Sequence, residues 1–102
     1  MRYSPRPIYR RTTGGQIDQL GAANDPSGMA LDESGNVYVT ERGTHTIFKI
    51  SSRGATTPVA GGLFKAPEGL CWRRNSLIVA DTGNHCLREL KFEPAQVVML
   101  QL

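Results

Sequence analysis

Apolar residues in this chain fall into short runs, separated by polar or glycine-containing turns. No segment sustains the 3.6-residue period of an amphipathic helix, so the pattern predicts short β-strands at even spacing. Runs at 29–31 and 70–72 are expected to be first strands, 37–39 and 77–79 second strands, and 47–50 and 87–91 third strands. The stretches 55–60 and 96–102 supply fourth strands, and a strand from Ile17 to Leu20 looks like the remnant of an earlier unit. The second strands are apolar at consecutive positions, which requires cover on both faces of the sheet.

The chain also repeats itself. Pro26, Gly28, Val37, Gly43 and His45 return as Pro67, Gly69, Leu77, Gly83 and His85, with a single residue lost in the turn between Asp32 and Asn36. Each copy has the same punctuation: a Pro-x-Gly opening, three apolar residues, a polar turn, three strand-forming residues, a glycine-containing turn and a longer strand. A four-stranded unit that recurs roughly every 40 residues and needs cover on both faces matches the blade of a β-propeller, in which neighbouring blades supply that cover.

The stretch Leu77-Ile-Val-Ala-Asp81-Thr-Gly83-Asn84-His85-Cys86-Leu87 resembles the signature of NHL repeats, and Pro67-Glu-Gly69-Leu and Val59-Ala60-Gly61-Gly62 are similar to the family's blade opening and preceding strand. In the first copy Glu41 replaces the Asp and Thr44 the Asn, while His45 is kept. The resemblance spans residues 16–102. It implies an all-β fold of two consecutive four-stranded blades, about 26–60 and 67–102, within a six-bladed NHL-type propeller. Such propellers mostly bind protein or RNA; some related six-bladed propellers are metal-dependent lyases or lactonases.

The repeated residues Pro26, Gly28, Gly43, His45, Pro67, Gly69, Asp81, Gly83, Asn84 and His85 are read as structural. His45 and His85 are expected to hydrogen-bond within their own blades, since one His per repeat lacks the clustered ligands of a zinc site. Asp81, Thr82 and Asn84 surround Gly83 in a turn where glycine is expected to take a positive φ. Gly28 and Gly69 are expected to let the innermost strands start where side chains crowd. Asp81 has no visible partner for general-base work, so no catalytic, cofactor-binding or metal-ligating residue is assigned. Trp72, beside Arg73 and Arg74, either anchors a macromolecular partner or caps the edge of the core.

Charge changes this picture little. The net charge of +3 arises at the N-terminus, where Arg2, Arg6, Arg10 and Arg11 precede any of the nine acidic residues. Residues 16–102 are therefore close to neutral, which favours protein over RNA as partner. Residues 1–15 read as an irregular basic arm whose removal leaves the fold intact, the alternative being that Ile8–Tyr9 forms a short closing strand. Neither a signal peptide nor a membrane-spanning run is visible, which slightly favours the cytoplasm and gives no membrane partner. Cys71 and Cys86 are expected as free thiols, Cys71 as a core filler. Two blades leave their outer faces uncovered, so self-association or the remaining blades of a longer chain is expected.

Overall fold

The computed structural model describes residues 5–61, 64–93 and 96–102; Arg2 and Gly62, both used above, lie outside them. The described residues form ten strands: β1 (Arg6–Arg11), β2 (Ile17–Ala23), β3 (Pro26–Leu31), β4 (Val37–Glu41), β5 (Thr46–Ile50), β6 (Thr56–Gly61), β7 (Pro67–Arg73), β8 (Ser76–Asp81), β9 (Cys86–Glu93) and β10 (Gln96–Gln101). β3–β6 and β7–β10 form two four-stranded sheets, each an antiparallel meander in chain order. The registers match: Pro26 faces Glu41 and Met29 faces Val39, as Pro67 faces Asp81 and Leu70 faces Val79. Each sheet is thus a blade of the expected form. No helix among the described residues is long and apolar enough to cross a membrane.

The two blades stack face to face, and alternation along each strand decides what each face carries. Tyr38 and Ile47 point from the first blade onto Leu77, Val79 and Leu90 of the second, with Phe64 of the connecting segment closing the same core. Residues Val37, Val39 and Ile50 point the other way. All five residues of β4 are buried, the apolar run 37–39 as its pattern required and Thr40 and Glu41 with it. Burying a side chain such as Ile47, Leu77 or Val79 completely stabilises the fold by roughly 1.5–3 kcal/mol each.

The N-terminal residues depart from the sequence reading. Instead of an irregular arm over 1–15, residues Arg6–Arg11 form β1 and pair antiparallel with β2, Arg6 facing Ala23 and Arg11 facing Ile17. Ile8, Leu20 and Ala23 of this hairpin pack on Val37, Val39 and Ile50, forming a second core in front of the first blade. The arginines had suggested a solvated segment, but alternation turns Ile8 inward while Tyr9 and Arg11 face out. Pro5 and Pro7 exclude a helix without excluding an edge strand.

The residue lost between copies is also explained. The first blade turns from β3 to β4 through Asp32–Asn36, with Gly35 at φ +84°, whereas the second uses only Arg74 and Asn75, both at positive φ. Two consecutive positive-φ residues define the type I′ hairpin turn.

Candidate functional site

The strand connections gather at two ends of the stack. At one end lie the turns leading from second to third strands and the segments joining one blade to the next. Here the repeated polar residues act together. Glu41 Oε1 accepts the N–H groups of Asn24 (2.6 Å) and Asp25 (3.2 Å). In the second blade Asp81 Oδ1 accepts the Lys65 N–H at 2.7 Å, while Oδ2 takes Asn84 Nδ2 (2.8 Å) and Arg88 Nε (2.6 Å). The acid that closes each second strand therefore holds the segment that enters the same blade. Burial opposes ionisation of Asp81, but Arg88, the Lys65 N–H and Asn84 outweigh it and hold the carboxyl below its ordinary value. Asp81 is spent on this network, as a structural residue must be.

His45 does a related task, with a different partner from the one expected. Its Nδ1 accepts the Ala66 N–H at 2.8 Å, so the imidazole ties the first blade's turn to the segment that opens the second, rather than bonding within its own blade. Both repeat histidines occupy the left-handed region, at φ 58° for His45 and 55° for His85. The His85 N–H donates to the Thr82 carbonyl at 3.0 Å, closing the short 3-10 turn Thr82–Asn84. Positive φ was expected at Gly83, but the histidine carries it. Gly83 is required for approach: its N–H donates to the Lys65 carbonyl at 2.7 Å, and a Cβ there would stand 2.5 Å from that oxygen.

The other glycines divide in the same way. A Cβ on Gly28 would overlap the Glu68 carbonyl oxygen, where the innermost strands of the two blades meet. Thr40 Oγ1 donates to the same carbonyl at 2.8 Å and Ser27 Oγ to the Pro67 carbonyl at 2.9 Å. Gly69 has no such neighbour in the described structure; a Cβ would touch Ala80 at an ordinary 3.6 Å. Gly43 stands beside Asp25, whose carboxylate also meets Arg42 at 3.6 Å; Arg42 in turn reaches Glu68 of the second blade at 3.2 Å.

The opposite end carries the first-to-second strand turns, the 51–55 turn and the β1–β2 turn. Asp32 accepts from the Ser34 and Asn36 N–H groups, the Asn36 amide and the Tyr38 hydroxyl at 2.8–3.0 Å, which locks the first of these turns. Burial works against the Asp32 carboxylate, yet these donors hold its pKa down. Burial and that carboxylate push the Tyr38 hydroxyl up. Trp72 bolts the blades together: its ring stacks on Tyr38 at 5.3 Å and 7°, tilts against Phe92, and its Nε1 donates to Glu33 at 2.9 Å. The alternation that turns Trp72 inward turns Cys71 out, so Cys71 is exposed and not the core filler expected. Arg73 and Arg74 stand exposed at the hairpin tip, with Arg11 and Arg53 exposed at the same end. Arg10 instead pairs with Asp18 at 3.2 Å.

Sequence reading located the signature residues but missed Asp32, Glu33, Lys65 and Arg88. The repeat carried a partial signal: Glu41 and Asp81 hold one repeat position with carboxylates of different length, and each accepts a backbone N–H from the segment that enters its own blade. Against known families, the NHL repeat matches residues 24–50, the copy whose signature departs further from the family's pattern. No curated protein matches the chain.

Proposed function

We propose, taking the NHL repeat at residues 24–50 as the premise, that this chain is a non-catalytic segment of a six-bladed propeller and serves as a scaffold for a protein partner. The observation that carries this reading is the division of labour among polar groups. Asp81, Glu41, His45 and Asp32 are consumed in holding turns and joining segments, which makes both ends of the blades stiff before any partner arrives; stiffness lowers the ordering cost of binding. Arg73 and Arg74 are left outside that network. Arg74 also sits at φ +49°, at a turn position that Asn, Asp or Gly would fill more readily. Strain at an exposed position points towards function. An acidic patch on a protein suits this tip, and the near-neutral remainder of the chain disfavours a phosphate-driven partner.

The test compares cross-linking of the purified chain in a cell extract with that of Arg73→Glu/Arg74→Glu. Expected is a protein adduct that survives nuclease treatment, weakens with the double variant and persists in Arg74→Asn, which relaxes the turn and keeps one arginine. An adduct abolished by nuclease would replace the protein reading with an RNA one. An adduct indifferent to the double variant would remove this end of the blades from the interface.

A further inference from the structure

The two blades share one register, so each position has an internal counterpart, and the buried acids that close the second strands differ in what surrounds them. Phe48 faces Val39 as Arg88 faces Val79, so Phe48 stands where the second blade carries the cation of its buried ion pair. Thr44 likewise stands in place of Asn84. Asp81 Oδ2 receives Arg88 Nε at 2.6 Å and Asn84 Nδ2 at 2.8 Å. Glu41 spends Oε1 on the Asn24 and Asp25 N–H groups. Among the described residues its Oε2 meets the Thr44 hydroxyl alone, at 3.5 Å, beyond the roughly 2.5–3.0 Å of an O–H···O hydrogen bond. That hydroxyl has a closer neighbour in Thr46, at 2.8 Å. Glu41 is 6% exposed, and no Lys, Arg or His among the described residues pairs with it. A buried carboxylate without a cation is costly, and the cost falls when a cation arrives.

Space for that cation adjoins the carboxylate. β2 runs into β3 as β6 runs into β7, and β1 pairs with β2 as β5 pairs with β6, so β1–β2 is a half-blade holding the third and fourth strand positions. A cleft of about 360 Å³ is lined by Ala22 and Ala23 of the half-blade and by Glu41, Phe48 and Thr56 of the first blade. Its volume falls within the roughly 300–1,000 Å³ of small-molecule clefts. A second hollow of about 210 Å³ also reaches Glu41, beside Gly43 and Thr44. The cleft lies between two elements that the chain itself packs together, not on an outer face of the stack.

We propose that the cleft at Glu41 receives an arginine side chain of a protein partner, whose guanidinium takes against Glu41 the place that Arg88 takes against Asp81. The second blade supplies the template: a carboxylate at this repeat position, with one oxygen on the entering segment, leaves the other for a guanidinium. Charge-assisted hydrogen bonds of this kind are short and about twice as strong as neutral ones. The ring of Phe48 lines the same cleft, and an aromatic face favours a planar guanidinium over the compact, strongly hydrated ammonium of lysine. Asp25, which lines the second hollow, is already engaged by Arg42 at 3.6 Å, so Glu41 is the carboxylate left for the ligand. This site lies at the end of the blades away from Arg73 and Arg74 and stands independently of what they contact.

The probe is N-acetylarginine amide, titrated into the nitrogen-15-labelled full chain and followed by NMR at the Asn24 and Asp25 amides, whose N–H groups Glu41 accepts. The citrulline derivative, a neutral isostere, and the lysine derivative are the controls. Expected are saturable shifts at those two amides with the arginine derivative, and at least about tenfold weaker binding of both controls. Two variants act on the site from opposite sides. Glu41→Gln removes the charge and keeps an acceptor for the backbone, and Phe48→Arg supplies the missing cation from within, as in the second blade; binding should be lost in both. Either variant suffices if the other fails to fold. Absence of saturation, equal binding of the citrulline or lysine derivative, shifts confined to other amides, or binding retained in a folded variant would each overturn the proposal. Binding that appears only in Arg2→Ala would give the site to the chain's own N-terminus and overturn it as well.

Discussion

His45 and His85 occupy one position in the repeat and one backbone conformation, but only His45 has a described hydrogen-bond acceptor role towards a following segment. Their substitutions should separate these two contributions. His45→Ala leaves the Ala66 N–H without its acceptor and should cost about 0.5–1.5 kcal/mol in urea unfolding. His85→Gly removes a left-handed penalty of roughly 1–2 kcal/mol per residue and should be neutral or stabilising. Equal losses in the two would show that both imidazoles act alike. Asp81 is more costly to disturb, because the carboxylate is fully buried beside Arg88. Asp81→Ala should destabilise by about 3–5 kcal/mol. The sign of its pH dependence follows from its lowered pKa. The stabilisation is fully present above the ordinary carboxyl value of 3.8 and is lost as pH falls through the lower value of the folded state. Acid unfolding followed by circular dichroism should therefore show a steep loss below about pH 4 that Asp81→Asn blunts.

At the scale of the element, β1 decides whether the N-terminus belongs to the fold. Ile8 is 5% exposed in the front core, while its neighbour Tyr9 is 62% exposed. Ile8→Ala should cost about 2–3 kcal/mol in thermal or chemical unfolding, as for other buried large-to-small changes. Tyr9→Ala should stay within about 0.5 kcal/mol. An irregular arm would make the two equally harmless. The same contrast explains why sequence reading failed here and succeeded elsewhere. In 77–79 the apolar run is unbroken and flanked by turns, whereas in 6–11 the single buried residue, Ile8, stands among arginines and a proline that hide the strand pattern.

The whole molecule is a slab of 39 × 38 × 20 Å that ends in two unlike faces. The front carries the half-blade, with Met29 and Leu31 exposed beside it. The rear of the second blade exposes Leu87 (49%) and Leu100 (41%), where the first blade buries Ile47, the counterpart of Leu87. Unlike faces that meet head to tail generate rings or open chains. Three copies joined in this way would make six blades, but the half-blade occupies the place that a neighbour's second blade would take. A closed trimer therefore requires β1–β2 to move. Concentration-dependent light scattering should show weak, open-ended association, reduced in Leu87→Asp/Leu100→Asp; a discrete trimer would show that β1–β2 gives way.

The sequence by itself determined the strands of the two repeats and their self-similarity, though not β1, because strand pattern, turn residues and repetition are local properties that survive without contacts. Pro26 and Pro67, Val37 and Leu77, and the acids at 41 and 81 were placed in register by comparing the two copies alone. The tertiary structure decided which face each residue serves. Whether Cys71 or Trp72 turns inward, and whether Ile8 is tail or core, depends on the phase of a period-two strand against its neighbour. A shift of one residue reverses every side chain. It also decided the partners of the polar signature: the Glu68 carbonyl that excludes a side chain from Gly28, and the Ala66 N–H that His45 accepts, belong to the next blade and become neighbours only when the blades stack.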